Sequence, residues 1–335
     1  MGKILFIRGG AVGDFILTMP SIRLVRETLP ETEIEILGYP AIASLATAAR
    51  LADRVLADRV LADRILADRI RSIEDARLAT FFAPGAKLDP DWCAYFAGFD
   101  VVISYLYDPD GYFAGNLAVA GVKTLVTCPF RPDESEPHIP AAVQFARPLE
   151  QLALFLSDVT LDLDYPGDYP RERLVSDSES GAIIALHPGS GSPKKNWSFE
   201  SWVQVLQEIH RKAPETRFLI TSGEAEESVI GEFLALLNGS TVPYRHLHGF
   251  SLPALAAVYR KVDFYLGHDS GISHLAASAG APGLLLFGPT CPGIWAPVSS
   301  KMKTLQSPDY SLAGIKVSEV LAAISFESYP HALRR

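Results

Sequence analysis

Residues 6–20, FIRGGAVGDFILTMP, place an acid, Asp14, at the end of a glycine-rich turn between a strand pattern and a helix pattern. A turn of this kind usually cradles a phosphate, yet both phosphate fingerprints fail. G-x-G-x-x-G would need a glycine where Arg8 stands, and a P-loop would follow Gly13 with lysine rather than with Asp14 and Phe15. What remains is a carboxylate at the C-terminal edge of a sheet, where open α/β sheets bind ligands. Asp14 can take a proton there as a general base. It can equally cap the helix that the pattern starts near Phe15.

Two further stretches carry chemistry. Residues 186–202, LHPGSGSPKKNWSFESW, run from a strand through a Gly/Ser loop to Lys194 and Lys195, then into a helix opened by Ser198. Free backbone N–H groups, hydroxyls, two lysines and a helix N-terminus make an anion site. The plainer reading is a solvated turn with surface lysines. A compact cationic loop in a chain of net charge −9 favours the anion. Residues 266–297 pass from a strand into His268-Asp269-Ser270-Gly271, then into a small-residue helix with His274, and on to the loop FGPT. Asp269 or Ser270 can cap that helix, and its next N–H groups can face a ligand. His268 and His274 do not have the i,i+4 spacing of a helical zinc pair, and His274 reads as either structural or catalytic.

The elements that must position these residues alternate. KILFIRG, EIEILGYP, DVVISY and KTLVTC read as strands, and TMPSIRLVRETLP carries Ile22, Val25 and Leu29 at helical spacing before Pro30. Residues 158–180, rich in Asp, Pro and Ser, read as a linker or a peripheral excursion. The alternation restarts at GAIIALHPG and runs through SFESWVQVLQEIHRKA, RFLITSG, AEESVIGEFLALLN, LPALAAVYRKV, DFYLGHD, GISHLAASAG and APGLLLFGP. Strands alternating with helices predict βαβ units and parallel sheets, so two Rossmann-like halves. The last helix, around VSEVLAAISF, could pack on either.

The totals exclude several classes. The 335 residues suit about two domains, and a pI near 5.4 argues against a nucleic-acid partner. Cys93, Cys128 and Cys291 lie far apart with no CxxC pair, which predicts neither zinc nor disulfides and fits a reducing compartment. No stretch reaches about 18 uninterrupted apolar residues, and no signal-peptide pattern precedes KILFI, so the cytoplasm is expected.

One segment stands outside this scheme. Residues 51–70, LADRVLADRVLADRILADRI, repeat a five-residue unit four times. On a helix each copy turns by about 140°, and on a strand each copy flips face, so no constant apolar face results. Leu, Ala and Arg favour helix and Asp–Arg pairs recur. The composition predicts a tandem duplication that lengthens a surface helix before a strand near IRSIE, the alternative being a coiled-coil-like contact surface.

Taken together, GAVGDFILTMPSIRLVRETLP, HPGSGSPKKNWSFESW and HDSGISHLAASAGAPGLLLFGPTCPGIWAP resemble glycosyltransferase family 9, the ADP-heptose:lipopolysaccharide heptosyltransferases. Order and spacing match over nearly the whole chain, and the last two motifs together are highly specific. The resemblance implies an α/β, GT-B fold: two facing Rossmann-like domains with the active site in the cleft. It divides the chain into an acceptor-side domain 1–165, a linker 166–180, a nucleotide-sugar domain 181–310 and a C-terminal helical region 311–335. It implies an inverting, metal-independent transfer with no cofactor, ADP-sugar being a substrate. By resemblance Asp14 is the base, with Arg8 and Gly13 on the acceptor side. Ser190, Lys195, Asp269, Ser270, Gly271 and His274 fall on the donor side. The ribose-binding acid falls in GEAEE, best at Glu226, with Glu224 and Glu227 as alternatives. The expected partners are a nucleotide sugar, with ADP-heptose foremost, and a glycan or glycolipid acceptor, which leaves room for peripheral contact with the inner membrane. The chain departs from the family in having Gly9, Gly10 and Ala11 where hydroxyl residues often precede the Gly-Asp pair. Its cations in the first half are scattered (Arg8, Lys123, Arg131, Arg147), and the five-residue repeat is foreign to the pattern.

Overall fold

The computed structural model describes residues 2–51, 64–167, 174 and 181–324, together with the backbone of 55–56 and 59–60. Contacts divide the chain into two compact units, Met1–Val159 and Thr160–Arg335. Residues 168–173 and 175–180 of the expected linker, and 325–335 of the expected C-terminal region, lie outside the described residues.

In the first unit the main sheet is built from β1 (Lys3–Arg8), β2 (Glu33–Gly38), β3 (Arg69–Ser72), β4 (Val101–Ser104) and β5 (Leu125–Thr127). All pair in parallel, in the order β3-β2-β1-β4-β5. β1 is the central strand, and five of its six residues, Ile4 to Arg8, are buried, as a strand covered on both faces must be. The strand order reverses between β1 and β4, so the crevice of this sheet opens at the C-terminal end of β1. Helix α1 (Val12–Thr28) begins there. It starts three residues before the apolar pattern suggests, because Gly10 at φ +92° turns the chain early.

The second unit repeats the plan. Its elements are β6 (Ile183–Leu186), α6 (Phe199–Lys212), β7 (Arg217–Ser222), α7 (Ile230–Asn238), β8 (Tyr244–His248), α8 (Leu252–Tyr259), β9 (Phe264–His268), α9 (Gly271–Ser278), β10 (Gly283–Phe287) and β11 (Met302–Gln306), numbered past the first unit's helices Pro40–Ala48, Pro90–Ala97, Tyr112–Val119 and Ala141–Ala146. The sheet is all parallel in the order β8-β7-β6-β9-β10-β11. β6, β9 and β10 are wholly buried. α6 starts at Ser198 as the sequence predicts, with the Ser198 hydroxyl accepting from Ser201 N, and buries Trp202, Val205, Leu206 and Ile209 along one stripe. The last described helix, Val317–Ala323, adds Val320 to the same core, and Ile324 follows it there. Among the described residues, no helix is long and apolar enough to cross a membrane.

The helix expected over the repeat is not realised in its described residues. Val55–Leu56 pairs antiparallel with Arg59–Val60, and the last copy runs into β3. A five-residue period gives a helix no face to bury, whereas a sheet edge offers backbone donors and acceptors that need partners. In the last copy Leu66 and Ala67 are buried. The Asp68 carboxylate accepts from Ile34 N at 2.8 Å and from Arg26 Nη2 at 2.5 Å. Leu51 N donates to Arg64 O at 2.9 Å, so the chain leaves and returns at one place. The last copy therefore makes the contacts to β2 and α1, and Leu51 of the first copy is also buried. Deleting residues 51–65 joins Arg50 to Leu66 and keeps the last copy. The variant should fold, with stability changed by about 1 kcal/mol, the scale of a single ordinary substitution. A melting curve checks this, and an aggregated product would show that the other copies are packed against something.

Candidate active site

In the first unit Asp14 stands in the opening turn of α1, one residue after Gly13. It is not the N-cap. Ala11 holds that position, and Asp14 Oδ2 accepts from Ala11 N at 3.2 Å, the carboxylate half of a capping box. Its other oxygen, Oδ1, lies 3.9 Å from Arg8 Nη2. The arginine is buried while the acid is partly open, at 2% and 31% side-chain exposure. Arg8 is tied down elsewhere as well: Nη1 donates to Tyr105 O at 3.3 Å and Phe130 O at 3.1 Å, and the guanidinium lies 4.9 Å from the Phe145 ring centroid. Burial lowers the Arg8 pKa from its usual value, and Asp14 opposes that shift. A cavity of about 240 Å³ opens against these groups, and Tyr107, Phe130 and Arg131 also line it. A buried, fixed cation and an acid facing a cavity can hold and deprotonate a hydroxyl.

In the second unit the C-terminal ends of β6, β7 and β9 converge. Lys195 Nζ donates to Asp269 Oδ2 at 2.7 Å, and Thr290 Oγ1 donates to the same oxygen at 2.6 Å. Ser270 caps α9 through a hydrogen bond from Ser273 N, so of the two candidate caps Ser270 takes the role. Gly271 opens the helix, and His274 is buried in its first turn. The structure thus brings Lys195, Asp269, Ser270 and Gly271 to one helix N-terminus, which favours anions. Ser190 serves the loop itself: Oγ lies 2.6 Å from Asn196 Oδ1 and 2.8 Å from Ser192 O, and it accepts from Ser192 N. Lys194, on the same turn, is exposed.

Glu226 separates from its neighbours. It is buried, while Glu224 and Glu227 are exposed. Oε2 accepts from Gly223 N at 2.9 Å and Oε1 lies 3.4 Å from His187 Nε2. Burial pushes its pKa up, but His187 and the backbone donors outweigh that and hold it below the usual carboxylate range. A Cβ on Gly189 would come within 2.3 Å of Glu226 Cγ, so the loop can pass over this acid only as glycine. His187 in turn faces Thr221 Oγ1 at 3.1 Å, and that hydroxyl meets Tyr259 OH at 2.7 Å.

His187 and His268 are roles the sequence did not assign. Their only signal is position, each at the C-terminal end of a strand. His268 is fully buried, and both Trp197 N (2.9 Å) and Trp202 Nε1 (3.2 Å) aim at its Nε2. It therefore docks the lysine loop onto β9 as a neutral acceptor. Burial drives its pKa down from the usual 6.5 to about 3. The unfolded chain then binds one more proton than the native state between those values, so stability is full above about pH 6.5 and falls as pH drops. The slope is about 1.4 kcal/mol per pH unit. Urea midpoints at pH 7 and pH 5 should show the loss, and His268→Gln should flatten it. An equal slope in that variant would assign the acid sensitivity elsewhere. Among the described residues no group of three or more His, Cys, Asp or Glu side chains is arranged to hold a metal ion.

Comparison with known proteins bears on this geometry. A profile described as glycosyltransferase family 9 (heptosyltransferase) matches residues 150–321. Lipopolysaccharide heptosyltransferase 1 of Pseudomonas aeruginosa is 32% identical over 139 residues, which are 39% of this chain and only 38% of that protein's length. A glycosyl transferase family 9 structure from Veillonella parvula superposes with a TM-score of 0.72 at 16% identity, covering 96% of this chain and 95% of that one. An Escherichia coli heptosyltransferase solved with ADP gives 0.67 at 16% identity, covering 97% and 99%. At such identities the likeness is one of fold, and it is the α/β fold of the GT-B type.

Proposed function

The chain belongs to glycosyltransferase family 9, and from that premise we propose that it moves a heptose, or a closely similar sugar, from an ADP-sugar to a lipopolysaccharide-core or related glycan hydroxyl. The observation that carries this reading is the meeting of Lys195 with Asp269 at the capped N-terminus of α9. A leaving nucleoside diphosphate gathers negative charge, and a lysine with fixed N–H groups stabilises it where it develops. Glu226, ionised and held by His187 and Gly223 N, is the group to accept from the ribose hydroxyls. Asp14 takes the proton of the acceptor hydroxyl as its oxygen attacks the anomeric carbon. Attack from the face opposite the leaving diphosphate inverts that centre, through an oxocarbenium-like transition state. The base lies on the first unit and the leaving-group site on the second. The cationic groups at the diphosphate do the work a divalent ion would do elsewhere, so no metal or cofactor is required. The place of action is then the cytoplasm, at the inner face of the membrane that holds a lipid-linked acceptor.

A thermal-shift panel of nucleotide sugars, followed by turnover in EDTA, tests the proposal. ADP-heptose at 100 times its Kd should stabilise the protein by about 2.7 kcal/mol, and ADP release should survive EDTA. Preference for a uridine or guanosine sugar would move the protein to another donor. Strict dependence on Mg²⁺ or Mn²⁺ would reject the site chemistry.

A further inference from the structure

We propose that Tyr107 and Phe130 form the platform on which the acceptor's sugar ring stacks, with Arg131 beside them reading an anionic substituent of that ring. The proposal rests on Asp14 being the base. A base must come within about 2.6–3.2 Å of the hydroxyl it deprotonates. The ring bearing that hydroxyl therefore occupies the space directly against the Asp14 carboxylate. In the first unit that space is the cavity of about 240 Å³, which Tyr107 and Phe130 line together with Asp14.

Tyr107 and Phe130 are not needed by the core. Trp92, Phe81, Phe96 and Phe113 are buried, whereas Tyr107 and Phe130 are 62% and 39% exposed. Exposed apolar rings gathered at a cavity mark a ligand surface. Each ring follows its strand by three residues, Tyr107 after β4 and Phe130 after β5, and the pairing of β4 with β5 brings them together with centroids 4.5 Å apart. Sugar rings carry C–H groups on their faces and hydroxyls around the edge. An aromatic face, negative at its centre, takes the C–H face and leaves the hydroxyls free to be read.

Base and platform are held in register by one side chain. Arg8 Nη2 lies 3.9 Å from Asp14 Oδ1, and Arg8 Nη1 donates to the Phe130 carbonyl at 3.1 Å. A ring stacked at Phe130 is therefore set at a fixed distance from the carboxylate, which is what positioning a hydroxyl requires. The Arg8 guanidinium is buried and both of its terminal nitrogens are engaged. Arg131 is exposed, with its guanidinium 5.6 Å from the Phe130 centroid, and among the described residues it is in no ion pair. Its planar fork suits a carboxylate or a phosphate.

Ligand-observed NMR with saturation of the protein's aromatic protons tests the site. The probes are methyl glucuronide, glucose 6-phosphate and neutral methyl glucoside. Ring C–H protons should receive saturation, most strongly in the charged probes, and the better of the two charged probes identifies the anion as carboxylate or phosphate. Tyr107→Ala with Phe130→Ala should weaken probe binding about tenfold. Tyr107→Ala alone guards against a folding failure, because that ring is mostly solvent-exposed. Arg131→Gln should abolish the advantage of the charged probes and leave the neutral one unchanged. ADP binding, read by thermal shift, should persist in every variant. Wild-type-like probe binding without the two rings, or no saturation of any probe by the wild type, overturns the platform. A charge preference that survives Arg131→Gln overturns the role of Arg131. Loss of ADP binding by the wild type would instead count against the donor reading and leave the platform result to stand by itself.

Discussion

Replacing Asp14 with asparagine should lower kcat by about 10²–10⁴-fold and leave ADP affinity near its wild-type value, the scale expected when a general base is removed. The substitution is well suited to the question. The asparagine side chain would keep an oxygen for Ala11 N, so the first turn of α1 stays closed. What disappears is the negative charge that faces the cavity and Arg8. Arg8 keeps the carbonyls of Tyr105 and Phe130, so it is not left without partners. The groups proposed to bind ADP belong to the other unit, so binding measures folding independently of turnover. A variant that turns over at nearly the wild-type rate would remove Asp14 from the mechanism, and the carboxylate would revert to a helix-capping role.

The parts of the site that were legible in the sequence are those set by short-range chemistry. Ser198 before an amphipathic run fixes the start of α6 because a hydroxyl there satisfies an orphan N–H. The strand–turn–acid order of residues 3–14 fixes Asp14 at a sheet edge for the same kind of reason. The start of α1 was less legible, since a positive φ at Gly10 decides it and apolar spacing does not. The three acids of GEAEE could not be told apart by type. They separate only when β6 lies beside β7 and puts His187 against Glu226. His268 was opaque for the same reason, because its partners Trp197 and Trp202 come from the lysine loop and α6. The repeat misleads in the opposite direction. Its residues favour helix one by one, but the last copy is captured by the open edge of β2, and tertiary pairing overrides propensity.

Lys195→Ala should weaken ADP binding by about 30-fold or more, roughly 2 kcal/mol, the worth of a partly desolvated charge-assisted bond. An ammonium has three donors, and Asp269 takes one of them, at 2.7 Å. The remaining two are available to diphosphate oxygens. The loss has two sources that act in the same direction. The direct contact disappears, and the buried Asp269 carboxylate keeps the Thr290 hydroxyl but loses its cation, so it repels the ligand more strongly. Lys194 is the internal control, since it carries the same charge on the same turn but is exposed. Lys194→Ala should change Kd by less than about threefold, as a screened surface charge does. The two sources separate in Lys195→Ala combined with Asp269→Asn. If Lys195 touches the diphosphate, removing the Asp269 charge recovers only part of the affinity. Full recovery would mean that Lys195 merely neutralises Asp269, and equal Kd values for the two lysine variants would take Lys195 out of the donor site altogether.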